Sequence, residues 1–138
     1  MTDTRMDETM KRFRNRALRR ALVDYEVEIS DFTIAVAAGD RAAQEAHPNN
    51  LHPYPQGSAN VESKPINKRL NKMAALLDLG RQSGGSSARE FTARNSKTAL
   101  PPEVLNNPNI AVKEAWAVAF ASSLAKVGYR VAAISRLD

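Results

Sequence analysis

The strongest constraint on what this chain can fold into is the stretch from residue 109 to residue 138, NIAVKEAWAVAFASSLAKVGYRVAAISRLD. It holds no proline and a single glycine, Gly128. Trp116, Phe120, Leu124, Val127, Val131 and Ile134 recur at steps of four, four, three, four and three residues. That spacing lines one face of a helix. Beside them Ala117, Ala121, Ala125, Gly128, Ala132 and Ser135 repeat the steps with small residues only, and Ala115, Ala119, Ser122, Ser123, Lys126 and Arg130 take the remaining face. The three stripes predict one helix over 109–138. Its bulky ridge fills a core, its small stripe admits a second helix at close range, and its last face meets water. A helix of this kind needs neighbours on two sides. Trp116, Ala117, Phe120, Ala121, Leu124, Ala125, Gly128 and Ala132 are therefore expected to form an oligomer interface.

Residues 1–46 read as a second long helix. Leu18, Leu22, Tyr25, Ile29, Phe32 and Val36 follow an alternating four-three step, the seam of a coiled coil. Val23, Val27 and Ile34 draw another apolar line, so this half is expected to be buried on two sides. Gly39 followed by Asp40 marks a stop or kink. At a rise of about 1.5 Å per residue a helix over residues 4–38 would span about 50 Å, and the C-terminal one about 42 Å. A compact globule of this length measures only about 37 Å across. The expectation is thus an elongated subunit completed by its neighbours.

Between the helices lies HPNNLHPYPQGSANVESKP, residues 47–65, with four prolines and a Gly-Ser pair. Such composition disfavours helix and central strand alike. It reads as an extended arm whose Leu51, Tyr54 and Val61 would anchor on a partner. Residues 66–82 form a shorter helix with Ile66, Leu70, Met73 and Leu77 as its seam. Residues 83–108 form a flexible basic connector, beginning with the joint SGGSS at 83–87. That joint lacks the following GK[ST] and the preceding strand of a phosphate-binding loop. Within the connector a short helical turn would dock Phe91 into the core. Asn107 and Pro108 lead into the last helix. No stretch shows the alternation of a half-buried strand, so the predicted class is all-α, a single helical domain.

Charge is unevenly placed. The chain carries 20 Lys and Arg against 15 Asp and Glu, for a net +5. Residues 1–20 are net +4, residues 21–63 net −6 and residues 64–97 net +6. Opposite blocks can neutralise one another within or between copies, or the basic ones can meet a polyanion. Arg12, Arg16, Arg19 and Arg20 fall within an arc of about 100° on a 3.6-residue helix. With Lys68, Arg69 and Lys72 they are the candidate phosphate contacts, since guanidinium forks suit phosphate oxygens.

The residues of catalysis are not gathered. The absence of cysteine removes disulfide scaffolds, thiolate zinc sites and cysteine nucleophiles. His47 and His52 both lie in the proline-rich arm without a carboxylate cluster, so no metal site is expected, nor any cofactor. Asp24, Glu26, Glu28 and Asp31 spread around a helix. The chain is expected not to be an enzyme. A lone membrane span over 115–134 is disfavoured, because Lys126 and Arg130 each cost about 2.5–3.5 kcal/mol near the bilayer centre and large apolar residues return about 0.3–0.6 each. Only a ring of such helices around a wet lumen escapes that cost. The first residues show no secretory signal, which places the protein in the cytoplasm or in a virion assembled there. The leading expectation is a non-enzymatic structural subunit of a multi-chain complex, such as a phage neck, internal or ejection component, with copies of itself and other subunits as partners. A basic accessory protein contacting DNA or RNA backbone is the alternative, and a small inhibitor or adaptor of one host protein is a third.

Overall fold

The computed structural model describes residues 4–83 and 87–138; residues 84–86 of the glycine-serine joint lie outside them. Elements follow in the order α1 (Thr4–Asp24), α2 (Glu26–Ala46), a 3-10 turn (His47–Asn49), β1 (Gly57–Ser63), α3 (Lys68–Leu76), β2 (Arg81–Gln82), β3 (Arg89–Phe91), α4 (Pro102–Leu105), α5 (Ile110–Lys126) and β4 (Val131–Leu137). The four strands form one antiparallel sheet in the order β2-β3-β1-β4. With 54% helix and 17% strand the chain is mixed α/β, which corrects the all-α expectation.

Two structural facts overturn the single C-terminal helix. First, α5 ends in a turn that only a glycine makes cheaply. Gly128 has φ 101°, its amide bonds to the Ala125 carbonyl, and the Tyr129 amide reaches back to Leu124. This is the left-handed capping pattern that closes helices. Second, the residues beyond it find a better use. Val131–Leu137 pairs in register with the whole of β1, from Gly57 opposite Leu137 to Ser63 opposite Val131. Val131 and Ile134 are β-branched and suit a pleated surface. Their helical spacing was real, but backbone pairing with a strand seventy residues earlier wins.

That same pairing corrects the arm. Residues 57–63 are the central strand, and Val61 is fully buried in it, so it anchors the chain's own core and not a partner. Its inward neighbours, Gly57, Ala59 and Ser63, are too small or too polar to show as an apolar alternation. The N-terminal helix also breaks: Tyr25, at φ −116° and ψ 28°, separates α1 from α2. The shorter helix is confined to Lys68–Leu76, and the connector is partly ordered as β3 and α4.

The core lies between the sheet and the pair α2 and α5. Phe32, Phe91 and Phe120 meet with ring centroids 5.2 to 5.6 Å apart. Trp116 stacks on Phe120 at 4.7 Å. Aromatic contacts of this kind add about 0.5–1.5 kcal/mol each beyond area burial. Phe91 reaches this cluster from β3, not from a helical turn. Gly39 lets α5 come close to α2, since a Cβ there would stand 2.8 Å from Trp116 Nε1. The next residue locks the contact. Buried Asp40 accepts from Trp116 Nε1 and the Ala99 amide at 2.9 Å each, and from the Thr98 hydroxyl.

Asparagines do the remaining polar work. Asn109 caps α5 by accepting from the Ala111 amide, and its side-chain amide holds the carbonyls of His52 and Tyr54. Asn107 donates to the Asn50 carbonyl and meets His47 Nδ1. Asn67 donates to Ser63 Oγ and to the Arg130 carbonyl and accepts from the Arg130 amide. Among the described residues no buried side-chain nitrogen or oxygen lacks a hydrogen-bond partner.

Candidate assembly interface

The sequence-derived interface is spent inside the chain. Trp116, Ala117, Phe120, Ala121 and Leu124 are all buried against α2 and the sheet. Ala125 and Gly128 are exposed at the end of α5, and Ala132 is half-buried in β4. The part of the ridge and small stripe from Trp116 to Leu124 does sit between two neighbours, but both neighbours belong to the same polypeptide. This expectation is corrected.

The unspent surface is elsewhere, along α1 and its junction with α2. Toward the end of α1, Ala21 is buried and Leu18 half-buried, while Lys11, Arg12, Arg14, Arg16, Arg19 and Arg20 are exposed. The 21 residues of α1 make a rod of about 31 Å at 1.5 Å per residue. The junction is clamped from α3. Arg69 donates to the Asp24 carbonyl, pairs with Glu28 at 3.1 Å and covers the Tyr25 ring at 4.7 Å. Its hydrogen bond to Glu28 raises its pKa. Arg69 is therefore committed to the joint and leaves the set of candidate phosphate ligands. A second tie joins α2 to the start of β4, where the Tyr129 hydroxyl donates to Asp31 at 2.7 Å. Burial, aided by that carboxylate, raises the Tyr129 pKa well above the usual value.

Across the α1–α2 junction run Val23 near the end of α1 and Val27 and Ile34 on α2, at 74, 66 and 60% exposure. The sequence reading had them buried on the second side of a seam; the chain itself provides no such side. A groove of about 460 Å³ on another face of α2 is lined by residues that include Leu22, Phe32, Val36, Asp40, Leu77 and Leu79. Single exposed apolar residues are common, and an aligned row of them is not.

The other candidates are dispersed. Lys68 and Lys72 are exposed on a groove of about 600 Å³ that also includes Arg89. Arg89 is turned inward, donating to the Leu79 and Gly80 carbonyls, and its burial lowers its pKa. Leu51 and Tyr54 are exposed on the segment that the asparagines pin to α5. His52 takes the Tyr54 amide on Nδ1. Asp40 has its acceptors filled by three protein donors, which suits a strut better than a reactive acid. Among the described residues no three His, Cys, Asp or Glu side chains are grouped to hold a metal ion, and no helix is long and apolar enough to cross a membrane.

Sequence reasoning missed the Asp40–Trp116 lock and the asparagine clasps. The signals were faint: an acid directly after a helix glycine, and the run NNPN before α5. No family model, curated protein or solved structure matches the chain.

Proposed function

We propose that this chain is a non-enzymatic assembly subunit that docks onto protein neighbours through the α1–α2 rod. The observation that carries the reading is the aligned, exposed row Val23, Val27 and Ile34, which crosses the α1–α2 junction on the face opposite the buried side of α2. Leaving such a row in water forgoes about 25 cal/mol per Å2 of coverable apolar area. A helix face lying in a partner's groove, anchored at steps of four and seven residues, recovers it. A virion part, such as a phage neck or internal component, is one complex of this kind. The test is the native mass of the chain recovered from the cells that make it. A complex of fixed stoichiometry is expected, and it should dissociate in a Val23→Glu, Val27→Glu variant. Recovery of the wild type only as a free monomer overturns the reading.

One observation favours a second reading, that α1 contacts nucleic-acid backbone. Lys11, Arg12, Arg14, Arg16, Arg19 and Arg20 are exposed along it, at spacings that a phosphate chain could follow. Affinity for duplex or single strand would then fall steeply with salt as counterions are released. Fluorescence anisotropy at about 50 mM salt decides it. Replacing Arg12, Arg16, Arg19 and Arg20 with Gln should abolish binding; a wild type that binds neither form removes the reading.

A further inference from the structure

We infer that β4 is a self-pairing edge, and that two copies of this chain join there into one eight-stranded sheet. Self-pairing rests on the assembly reading and supplies one of its contacts.

The sheet has two edges, and they are built differently. β2 has two residues, Arg81 and Gln82, both exposed. Shortness and charge are the usual protection of an edge. β4 has seven residues, VAAISRL, with Arg136 as its one charge and no proline. Leu137 is 67% exposed on it, and Val118, 60% exposed, overlooks it from α5. The protected edge and the open one lie on the same sheet.

Hydrogen bonding shows which groups are free to pair. At the two ends of the β1–β4 ladder the Lys64 amide bonds to the Arg130 carbonyl, and the Asp138 amide to the Gln56 carbonyl. Antiparallel bonds alternate along a strand. Even-numbered residues of β4 therefore face β1, and Val131, Ala133, Ser135 and Leu137 turn their amides and carbonyls outward. A second β4 running antiparallel and centred on Ile134 sets Val131 against Leu137 and Ala133 against Ser135. By symmetry each pair occurs twice, for about eight backbone bonds.

Charge selects this register. With Ile134 at the centre, Arg130 of each copy faces Asp138 of the other, and Arg136 faces Ala132. Moving the centre to Ala133 brings Arg136 opposite Arg130, a like-charge pair that destabilises. Moving it to Ser135 leaves Asp138 opposite Ala132. Only the Ile134 register pairs both charges at both ends. It also puts Ile134 against its own copy, and Leu137 against Val131 on the face that carries α5. Because α5 packs over both β1 and β4, strands about 4.8 Å apart would hold the two α5 helices about 10 Å apart, a normal packing distance. Ala115 and Ser122, a turn to either side of Val118, are small enough to allow it.

A cysteine-free chain makes the test direct. Opposed residues of a non-bonded antiparallel pair lie within disulfide reach. On mild oxidation, Ile134→Cys should give a covalent dimer in high yield, and Arg136→Cys should not. By sedimentation the wild type should be dimeric, and Ala133→Pro, which removes only an outward-facing amide, monomeric. Arg130→Asp should weaken the dimer about tenfold by turning two surface ion pairs into repulsions, and adding Asp138→Arg should restore it. Circular dichroism shows whether Ala133→Pro folds; the charge exchange carries the test if it does not. A wild-type oligomer unaffected by Ala133→Pro and Arg130→Asp overturns self-pairing at β4 while leaving the assembly reading standing. A wild type that is monomeric at all concentrations, with no Ile134→Cys dimer, overturns self-pairing outright, whatever the rod binds.

Discussion

Helices α1 and α5 are similar in length, 21 and 17 residues, and opposite in circumstance. The shorter one is enclosed by α2 and the sheet, capped by Asn109 at its start and stopped by Gly128 at its end. The longer one buries Ala21 near its end and, of its other described side chains, leaves all but half-buried Leu18 exposed. Helix-forming tendency is present in both, so it does not separate them. Tertiary burial does. Stability is expected to reside almost wholly on the α5 side, and docking onto other proteins on the α1 side, with copies of the chain pairing at β4.

That division is open to attack. The largest effect should come from Phe120→Ala, which empties the centre of the aromatic cluster and should cost about 3–5 kcal/mol in chemical denaturation. Asp40→Ala comes next. Stripping the acceptor from Trp116, Thr98 and Ala99 strands buried donors, at about 2–4 kcal/mol by the same measurement. The quadruple change of Arg12, Arg16, Arg19 and Arg20 to Gln should shift unfolding by no more than about 1 kcal/mol, as exposed substitutions do. A loss as great as that of Phe120→Ala would erase the contrast between the helices.

The smallest effect concerns the open face of the sheet. Burial pushes the Glu90 carboxyl up, but bonds from Arg81 and Ser83 together outweigh it and hold its pKa below the usual value. A depressed folded-state value means stability that is present above the unfolded pKa and lost as pH falls through the folded one. Glu90→Gln should thus cost less than about 1 kcal/mol at neutral pH. The difference from wild type should vanish in acid denaturation below the ordinary carboxylate range.

Periodicity revealed which residues are apolar neighbours but not what they neighbour. Phe32 and Val36 from one seam, and Trp116, Phe120 and Leu124 from the ridge, are core residues. Nothing in either pattern says that the second partner comes from the same chain. The sheet was hidden for a physical reason. Its central strand turns Gly57, Ala59, Val61 and Ser63 inward, and only Val61 among them is a large apolar side chain. Ser63 is tolerated there because it donates to Asn71 and accepts from Asn67, a compensation that no single-residue scale registers. β4 was hidden because Val131 and Ile134 fit a helical stripe and a strand equally well, and Gly128 was read as one small residue among six. Its positive φ is what divides them. Of the candidate interface, the arginine arc and the line of Val23, Val27 and Ile34 were visible in the sequence. Their exposure was not, since that depends on which faces the remainder of the fold leaves uncovered.

The central strand pairs on one side with β3 and on the other with β4, which follows it by about seventy residues. At the ribosome's pace of about 5–20 residues per second, the outer flank of β1 waits several seconds before its partner has even been translated. Until then a half-finished sheet would be open to nascent neighbours and to chaperones, so cotranslational timing bears on how safely this polypeptide matures.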